Sequence, residues 1–319
     1  MKIVFTADLH IKLGQKGVPV SWSKNRYELL IEALVEECRG KDLLIIGGDI
    51  FDHMPTMEEQ EIYHMLICAL EIPTLVFSGN HEALTKTTTF FTFLKQVTNR
   101  INRLVTVVDN YYSTDEFDII PYNKLKHFVQ NYDTLDFHNK LLFTHVRGDI
   151  PPHVKAEIDL DLLNRWELVV AGDLHSYENS QRNILYPGSP ITTSFHRARV
   201  ATGVIVIDTN SLTHIWNKLE LPQLIRKTIQ AGEEMPPTDY DHTIYEVEGD
   251  MAMLGAMLDS ELIDKKVVKR ETDTALMLDP TMTLQEEVKE YLLYILQLDE
   301  TTVESVLQIL NDNMDKIND

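Results

Sequence analysis

Short apolar runs that each end in an acid, an amide or a histidine recur through the first half of the chain. Lys2-Ile3-Val4-Phe5-Thr6-Ala7-Asp8 reads as a buried strand running into Asp8-Leu9-His10. Leu43-Leu44-Ile45-Ile46 is a second, broken at Gly47-Gly48 before Asp49 and Asp52. Pro73 to Phe77 leads into Ser78-Gly79-Asn80-His81-Glu82. Lys140 to Thr144 ends at His145, and Glu167 to Ala171 ends in Gly172-Asp173-Leu174-His175. Between these runs, helical periodicity predicts helices over roughly Arg26–Arg39, from Pro55 to about Leu70, and from Phe91 to about Val97. Shorter strands are expected near Leu104–Val108, Phe117–Ile120, Ile184–Tyr186, Gly203–Asp208 and Leu212–Leu221, the last two joined by a reversal at Thr209-Asn210-Ser211. Strands alternating with helices predict an α/β protein.

From about Pro222 the pattern changes. Gln230–Asp241 is polar, with Gly232, Pro236 and Pro237, and reads as a linker or loop. Strands over Thr243–Val247, Lys265–Glu271 and Ala275–Leu278 around a helix at Met251–Leu258 make a small α+β unit. The end is helical. Leu284, Val288, Leu292, Ile295 and Leu296 form one apolar stripe, and Val303, Val306, Leu307, Leu310, Met314 and Ile317 form another. Thr301-Thr302-Val303-Glu304 reads as a capping box for the second helix. The expected division is residues 1–222, 223–280 and 281–319.

Composition narrows the class. With 319 residues, 44% hydrophobic and 25% charged, the chain has the makeup of a soluble globular protein with a sizeable core. The net charge of −21 is concentrated at the end: residues 221–319 hold 22 acidic and 8 basic side chains, against 28 and 21 in residues 1–220. Such a balance disfavours non-specific grip on nucleic acid, though not a local basic patch or a basic partner. Cys38 and Cys68 have no second Cys or His at metal-ligand spacing and read as buried thiols in a reducing cytoplasm. No signal peptide or transmembrane run is visible, so a cytoplasmic protein is expected, in the host cytoplasm if viral.

Five strand ends thus carry groups suited to hard or borderline metals: Asp8/His10, Asp49, Asn80/His81, His145 and Asp173/His175. Singly, each is an ordinary turn. Together they fit a two-metal site, with seven ligands, one carboxylate shared, and ions about 3.5–4 Å apart. Oxygen and imidazole donors without thiolate favour Mn²⁺, Fe or Zn²⁺ over a closed structural zinc site. Such a pair can activate a water and clamp phosphate oxygens. No Gly-x-x-x-x-Gly-Lys-Ser/Thr loop is present, so the chain is not itself a P-loop ATPase.

In this order, Asp8-x-His10, Gly48-Asp49-x-x-Asp52, Gly79-Asn80-His81-Glu82, Thr144-His145 and Gly172-Asp173-Leu174-His175 resemble the calcineurin-like metallophosphoesterases. Tyr186-Pro187-Gly188-Ser189-Pro190 resembles the SbcD-type DNA-repair nuclease branch, in a length close to compact bacteriophage members. The motifs cover residues 1–208; the last third matches only in layout. The resemblance implies a β-sandwich flanked by helices, a small α+β capping domain and a helical tail that docks on an SbcC-type ATPase. It implies that Asp8, His10 and His175 hold the first metal, that Asp49 bridges, and that Asn80, His145 and Asp173 hold the second. His81 would act on the phosphate or its leaving oxygen. Asp173 stands where the family usually has histidine; as a harder anionic donor it would tilt the site further towards Mn²⁺. Asp52 stands where some members have a catalytic histidine, and would support catalysis by orienting His81 or a ligand histidine. A homodimer is also implied.

Arg197, Arg199 and Lys12 are candidate contacts to substrate phosphates, and Lys265, Lys266, Lys269 and Arg270 a candidate basic platform. The expected function is a Mn²⁺-dependent DNA exonuclease or endonuclease subunit of an SbcCD-like complex that processes DNA ends in repair, recombination or replication. The nearest alternative is a stand-alone phosphatase or small-molecule phosphodiesterase; a non-catalytic scaffold is disfavoured by the nearly complete ligand set.

Overall fold

Strand β1 (Lys2–Thr6) shows how the core is laid out. Successive side chains of a strand point to opposite faces. Val4 therefore enters one apolar cluster, with helix residues Tyr27, Leu30 and Leu34, while Ile3 and Phe5 enter another, with Phe143 and Val170. Strand β2 (Leu43–Gly47) repeats the split: Leu44 and Ile46 face the helices, Leu43 and Ile45 the second sheet. All five β2 residues are buried, as expected of a strand covered on both faces.

The computed structural model describes residues 1–85, 88–236, 240–249, 254, 260, 262–267, 282–296 and 298–314. The first sheet has six strands in the order β11-β10-β1-β2-β3-β4, adding β3 (Thr74–Phe77), β4 (Val105–Val108), β10 (Gly203–Asp208) and β11 (Thr213–Lys218). Strands β1 to β4 run parallel, and the β10–β11 hairpin adds antiparallel at β1. Helices α1 (Val20–Glu37), α2 (Met57–Ala69) and α3 (Phe90–Ile101) supply residues to the cluster on this sheet's outer face. The second sheet has the order β5-β6-β7-β8-β9: Tyr112–Ser113, Asp118–Ile120, Leu141–His145, Leu168–Gly172 and Ile184–Leu185. Its outer cluster contains Leu125 and Phe128 of α4 (Tyr122–Gln130). This is the sandwich flanked by helices that the resemblance implies.

Some details depart from the sequence reading. Helix α1 begins at Val20, directly after Pro19, rather than at Arg26, and α4 is an addition with only two buried residues to mark it. Helix α2 starts in a reciprocal cap between Thr56 and Glu59. Cys38 is buried, its thiol pushed up to about 12 by burial, but Cys68 is exposed. Strand β12 (Leu224–Gln230), where no strand was expected, forms a three-stranded sheet with β13 (His242–Gly249) and β14 (Ile263–Val267) in the order β12-β13-β14. The expected helix Met251–Leu258, nearly all of it, and the strand Ala275–Leu278 lie outside the described residues, as do Lys269 and Arg270.

The chain divides into two compact units: Met1–Val247 with Leu258–Lys265, and Glu248–Met257 with Lys266–Asp319. In the second, α5 (Leu284–Glu290) starts in a Thr283–Glu286 capping box and runs into a π-helical turn over Tyr291–Ile295. Helix α6 (Glu300–Met314) is capped by Asp299, whose carboxylate accepts the Thr302 N–H at 2.9 Å. The capping group therefore lies two residues before the expected Thr301, because a carboxylate at the N-cap both accepts the N–H and favours the helix dipole.

Candidate active site

The carboxyl ends of β1, β2, β3, β7 and β8 carry the candidate donors, so parallel strands from both sheets deliver them to one face. The turns that present them are strained. Of six non-glycine residues with left-handed φ among those described, four are Asp8 (59°), His10 (44°), Asp49 (50°) and Asp173 (105°). Such conformations persist only where surroundings over-determine them. Here the Asp8 N–H bonds the Gly48 carbonyl at 3.0 Å, the His10 N–H bonds the Asp49 carbonyl at 2.9 Å, and the buried Tyr27 hydroxyl donates to the His10 carbonyl at 2.7 Å. Two glycines make this crowding possible. Gly48 sits at φ 94°, and a Cβ on Gly79 would fall 2.1 Å from Asp49 Oδ1.

Asp49 Oδ2 is the hub. It lies 3.4 Å from His145 Nε2, 3.7 Å from His10 Nε2 and 3.9 Å from His81 Nε2. His10 Nε2 faces His175 Nε2 at 3.1 Å, and His145 Nε2 faces Asn80 Oδ1 at 2.9 Å. Asp8, His10 and His175 bring donor atoms within 4.8 Å of one another, as do Asp8, Asp49 and His145, and also His10, Asp49 and His81. Asp173 Oδ1 is further out, 3.9 Å from His145 Nε2. All seven ligand candidates and His81 therefore meet at one place. The histidines are aimed by their other nitrogens: His145 Nδ1 donates to the Gly47 carbonyl at 2.9 Å, and His175 Nδ1 bonds Thr193 Oγ1 at 3.1 Å. A carbonyl only accepts, so in the neutral ring His145 Nε2 keeps its lone pair toward Asp49.

The electrostatics call for a cation. Asp8 and Asp49 are buried side by side, and among the described residues neither has a Lys or Arg in ion-pair range. Burial pushes Asp8 up to about 7 and Asp49 pushes the same way, against the pull of His145. Burial would also raise Asp49, but the charge and hydrogen bond of His145 and the charge of His10 hold it below the usual carboxylate range. His145, which burial alone would lower, is pushed up to about 10 by Asp49, Asp8 and Asp173. His175 falls to about 4 through burial and the nearby His10. Two buried anions held by protons on imidazole are a costly arrangement that a divalent ion relieves. Acid, amide and imidazole donors converging within these distances fit such ions, and the residues present can hold them.

The remaining candidates fall around this centre. The His81 N–H donates to Asp49 Oδ1 at 2.9 Å, and its Nδ1 donates to the Asp52 carbonyl at 2.6 Å, which leaves Nε2 over the site. Asp52 turns its carboxylate elsewhere: Oδ1 is 3.3 Å from His10 Nδ1, an ion-pair approach without hydrogen-bond alignment, and Oδ2 is 2.7 Å from Lys12 Nζ. The neighbouring His10 and Lys12 hold Asp52 well below the usual carboxylate range. Arg197 bonds Thr228 at 2.5 Å and Glu246 at 3.2 Å, and Arg199 pairs with Asp241 and with Glu220 at 3.5 Å, so both guanidiniums are engaged within the chain. Arg199 also lines a cleft of about 590 Å³ that opens beside His175, with Tyr177, Thr193, His196 and Trp216.

Several supporting residues escaped the motif reading. Glu82 is fully buried and accepts three backbone N–H bonds, from Gly79 at 2.7 Å, Phe51 at 2.9 Å and Asp49 at 3.0 Å, tying the β2 and β3 turns together. Its place in Gly79-Asn80-His81-Glu82 was the available signal. Burial and the adjacent Asp49 push it up to about 7 despite those bonds. Glu82→Gln turns one acceptor into a donor facing buried N–H groups, and should lower unfolding stability by roughly 2–4 kcal/mol, read as a shifted denaturant midpoint with unchanged slope. The Tyr-Pro-Gly-Ser turn is a clasp between strand ends: Tyr186 Oη donates to the Val146 carbonyl at 3.1 Å, and Ser189 Oγ to the Asp8 carbonyl at 2.7 Å. Arg147, which grips Asp173, carried no signal beyond lying two residues after His145.

Comparison with known proteins agrees with this geometry. The family profile described as calcineurin-like phosphoesterase matches residues 1–184. A protein of Escherichia phage T5, named probable exonuclease subunit 1, is 44% identical over 318 residues, covering 96% of this chain and 97% of its own. Among solved structures, a novel archaeal phosphodiesterase overlaps at 14% identity with a TM-score of 0.38, covering 69% of this chain and 100% of its own. A protein of Thermus thermophilus, TT1561, does so at 10% identity and 0.41, covering 68% and 98%. Those two overlaps are loose and bear no weight. The profile spans more than half of the chain and the phage relative nearly all of it, so the chain belongs to the calcineurin-like phosphoesterase family.

Proposed function

We propose that the chain is a two-metal DNA phosphodiesterase, the nuclease subunit of a larger assembly, working with Mn²⁺. The observation that carries this is Asp49 Oδ2, within 3.4–3.9 Å of three histidines delivered by different strand ends. Asp8, His10 and His175 would hold one ion and Asn80, His145 and Asp173 the other, with Asp49 within reach of both groups. When bound, the ions supply charge for the phosphate oxygens and an activated water. The chain's own residues then orient and move protons. His81, its Nδ1 proton tied to the Asp52 carbonyl, presents Nε2, and as the imidazolium it gives the Nε2 proton to the leaving oxygen and becomes the neutral ring. Asp52 holds His10 and Lys12, and Lys12 faces solvent where a strand of DNA can lie.

The T5 relative is named an exonuclease subunit, which supports both DNA as substrate and a partner. We read residues 223–280 as a cap over the substrate and 281–319 as docking helices for an SbcC-type ATPase. Exposed Leu284, Leu296 and Val306 and the excess of 22 acidic over 8 basic residues beyond residue 220 favour that use. Exposed Phe93, Val97 and Ile101, one stripe on α3, favour a homodimer contact. Among the described residues, no helix is long and apolar enough to cross a membrane.

The test is degradation of end-labelled DNA with Mn²⁺, set against turnover of 4-nitrophenyl phosphate, with and without an SbcC-type ATPase and ATP. DNA should be degraded in the presence of Mn²⁺ and the monoester turned over poorly. Strong monoesterase activity with intact DNA would return the stand-alone phosphatase.

A further inference from the structure

Two residues beyond His145, Arg147 grips Asp173 through two parallel bonds, Nε to Oδ2 at 3.0 Å and Nη2 to Oδ1 at 3.1 Å. That same Oδ1 lies 3.9 Å from His145 Nε2. The Arg147 side chain is 44% exposed and that of Asp173 only 5%, so the carboxylate looks into the centre and the cation looks out. The backbone is held as well: the Arg147 carbonyl accepts the Glu157 N–H at 3.2 Å, and Glu157 accepts the Tyr122 hydroxyl at 2.6 Å. A guanidinium has five N–H donors in a rigid fork. The grip on Asp173 uses two of its edges' donors and leaves the others directed away from the carboxylate. A cation fixed this way loses little freedom when it meets a phosphate.

The other flank is built alike. Lys12 Nζ, on a side chain 36% exposed, is 2.7 Å from Asp52 Oδ2, and Asp52 Oδ1 is 3.3 Å from His10 Nδ1. Each sheet thus sets one carboxylate-anchored cation beside one candidate ligand histidine. Every phosphate along a nucleic-acid strand is charged, so a centre that holds one phosphodiester has others on either side. The pair also accounts for the residue that departs from the family pattern. An aspartate in place of a neutral histidine adds a negative charge, and Arg147 cancels it.

Building on the DNA-phosphodiesterase reading, we propose that Arg147 binds the phosphodiester next to the one being cleaved, on the His145 side, with Asp173 aiming its guanidinium. Asp173 then serves two neighbours at once, the centre and the substrate strand. Lys12 takes the equivalent place on the His10 side.

The full chain, Arg147→Ala and Arg147→Lys are compared on single-stranded DNA and on bis(4-nitrophenyl) phosphate, a diester with no neighbouring phosphate. Mn²⁺ occupancy is followed by electron paramagnetic resonance, and DNA binding by anisotropy in Ca²⁺ across a salt series. For Arg147→Ala, KM on DNA should rise about tenfold, with a shift of under about twofold on the small diester. The slope of log affinity against log salt should fall by about 0.7, one single-strand phosphate. Arg147→Lys should regain the slope but not the full KM, because a point charge replaces the fork. An unchanged salt slope, equal losses on DNA and diester, or lost Mn²⁺ occupancy would each overturn the proposal, leaving Arg147 as a prop for Asp173. Failure of the nuclease reading shows separately, as wild-type protein that leaves DNA intact; the salt slope then still decides whether Arg147 touches phosphate.

Discussion

Asp49→Ala should reduce phosphodiester hydrolysis by at least about a thousandfold, a loss of more than ~4 kcal/mol of transition-state stabilisation, while the protein stays folded. The size follows from its position. One carboxylate oxygen stands within 3.9 Å of His10, His81 and His145, so in the proposed two-metal centre its removal would take the donor shared by both halves. The fold should survive because the substitution deletes one of two adjacent buried anions and leaves the Glu82 ties to the Gly79 and Phe51 N–H groups in place. The metal-dependent rise in melting temperature, which reports binding to the folded state, should shrink with activity. A pH signature accompanies it in metal-free protein. Asp8 is raised to about 7, so between about pH 4 and 7 the native state binds more protons than the unfolded chain, and this contribution to stability is lost as pH rises. Asp49 is one of the causes of that rise, so Asp49→Ala should lose less stability across the same window. Retained hydrolysis, or a metal-induced melting shift equal to wild type, would show that Asp49 is not the shared ligand.

His81→Ala should lower kcat by about a hundred- to ten-thousandfold, the range for a positioned proton donor, with KM for DNA changed far less. Its ring is 36% exposed and sits edge-on to His10 at a centroid distance of 4.7 Å, at the open side of the centre. Two roles are geometrically open to it, since its donor atom also lies within 4.8 Å of those of His10 and Asp49. Mn²⁺ titration separates them. Unchanged metal stoichiometry with lost turnover marks a proton donor; loss of an ion marks a ligand. Full activity in the variant would sink both.

Much of the fold was legible because its signals are local. Ile3, Val4 and Phe5, or Leu43 to Ile46, announce buried strands through unbroken apolar runs. Gly48 and Gly79 announce the turns that follow, one through its left-handed φ and the other through the space Asp49 needs. Helix α4 was not legible: Leu125 and Phe128 are its only buried residues, too few for a stripe. Strand β12 was missed because only Leu224 and Ile225 are buried and the rest of it looks like the polar stretch that follows. In the Tyr-Pro-Gly-Ser turn, the resemblance pointed to a branch of the family, whereas the structure assigns Tyr186 and Ser189 to main-chain carbonyls beside His145 and Asp8.

The sequence by itself determined which residues stand at the strand ends, and hence the chemistry on offer: Asp8, His10, Asp49, Asn80, His81, His145, Asp173 and His175. That information is local, since a strand, a turn and the residue after it are contiguous. The tertiary structure alone decided how those groups are charged and aimed. It placed Asp49 Oδ2 among three histidines, turned the Asp52 carboxylate to His10 and its carbonyl to His81, and set Arg147 on Asp173. It also engaged Arg197 and Arg199 with carboxylates elsewhere in the chain. The pairings at the centre join residues tens of positions apart, on neighbouring strand ends of one sheet or, for Asp49 and His145, across the two sheets. Charge acts through space, and the order of residues along a chain does not say which charges end up within reach.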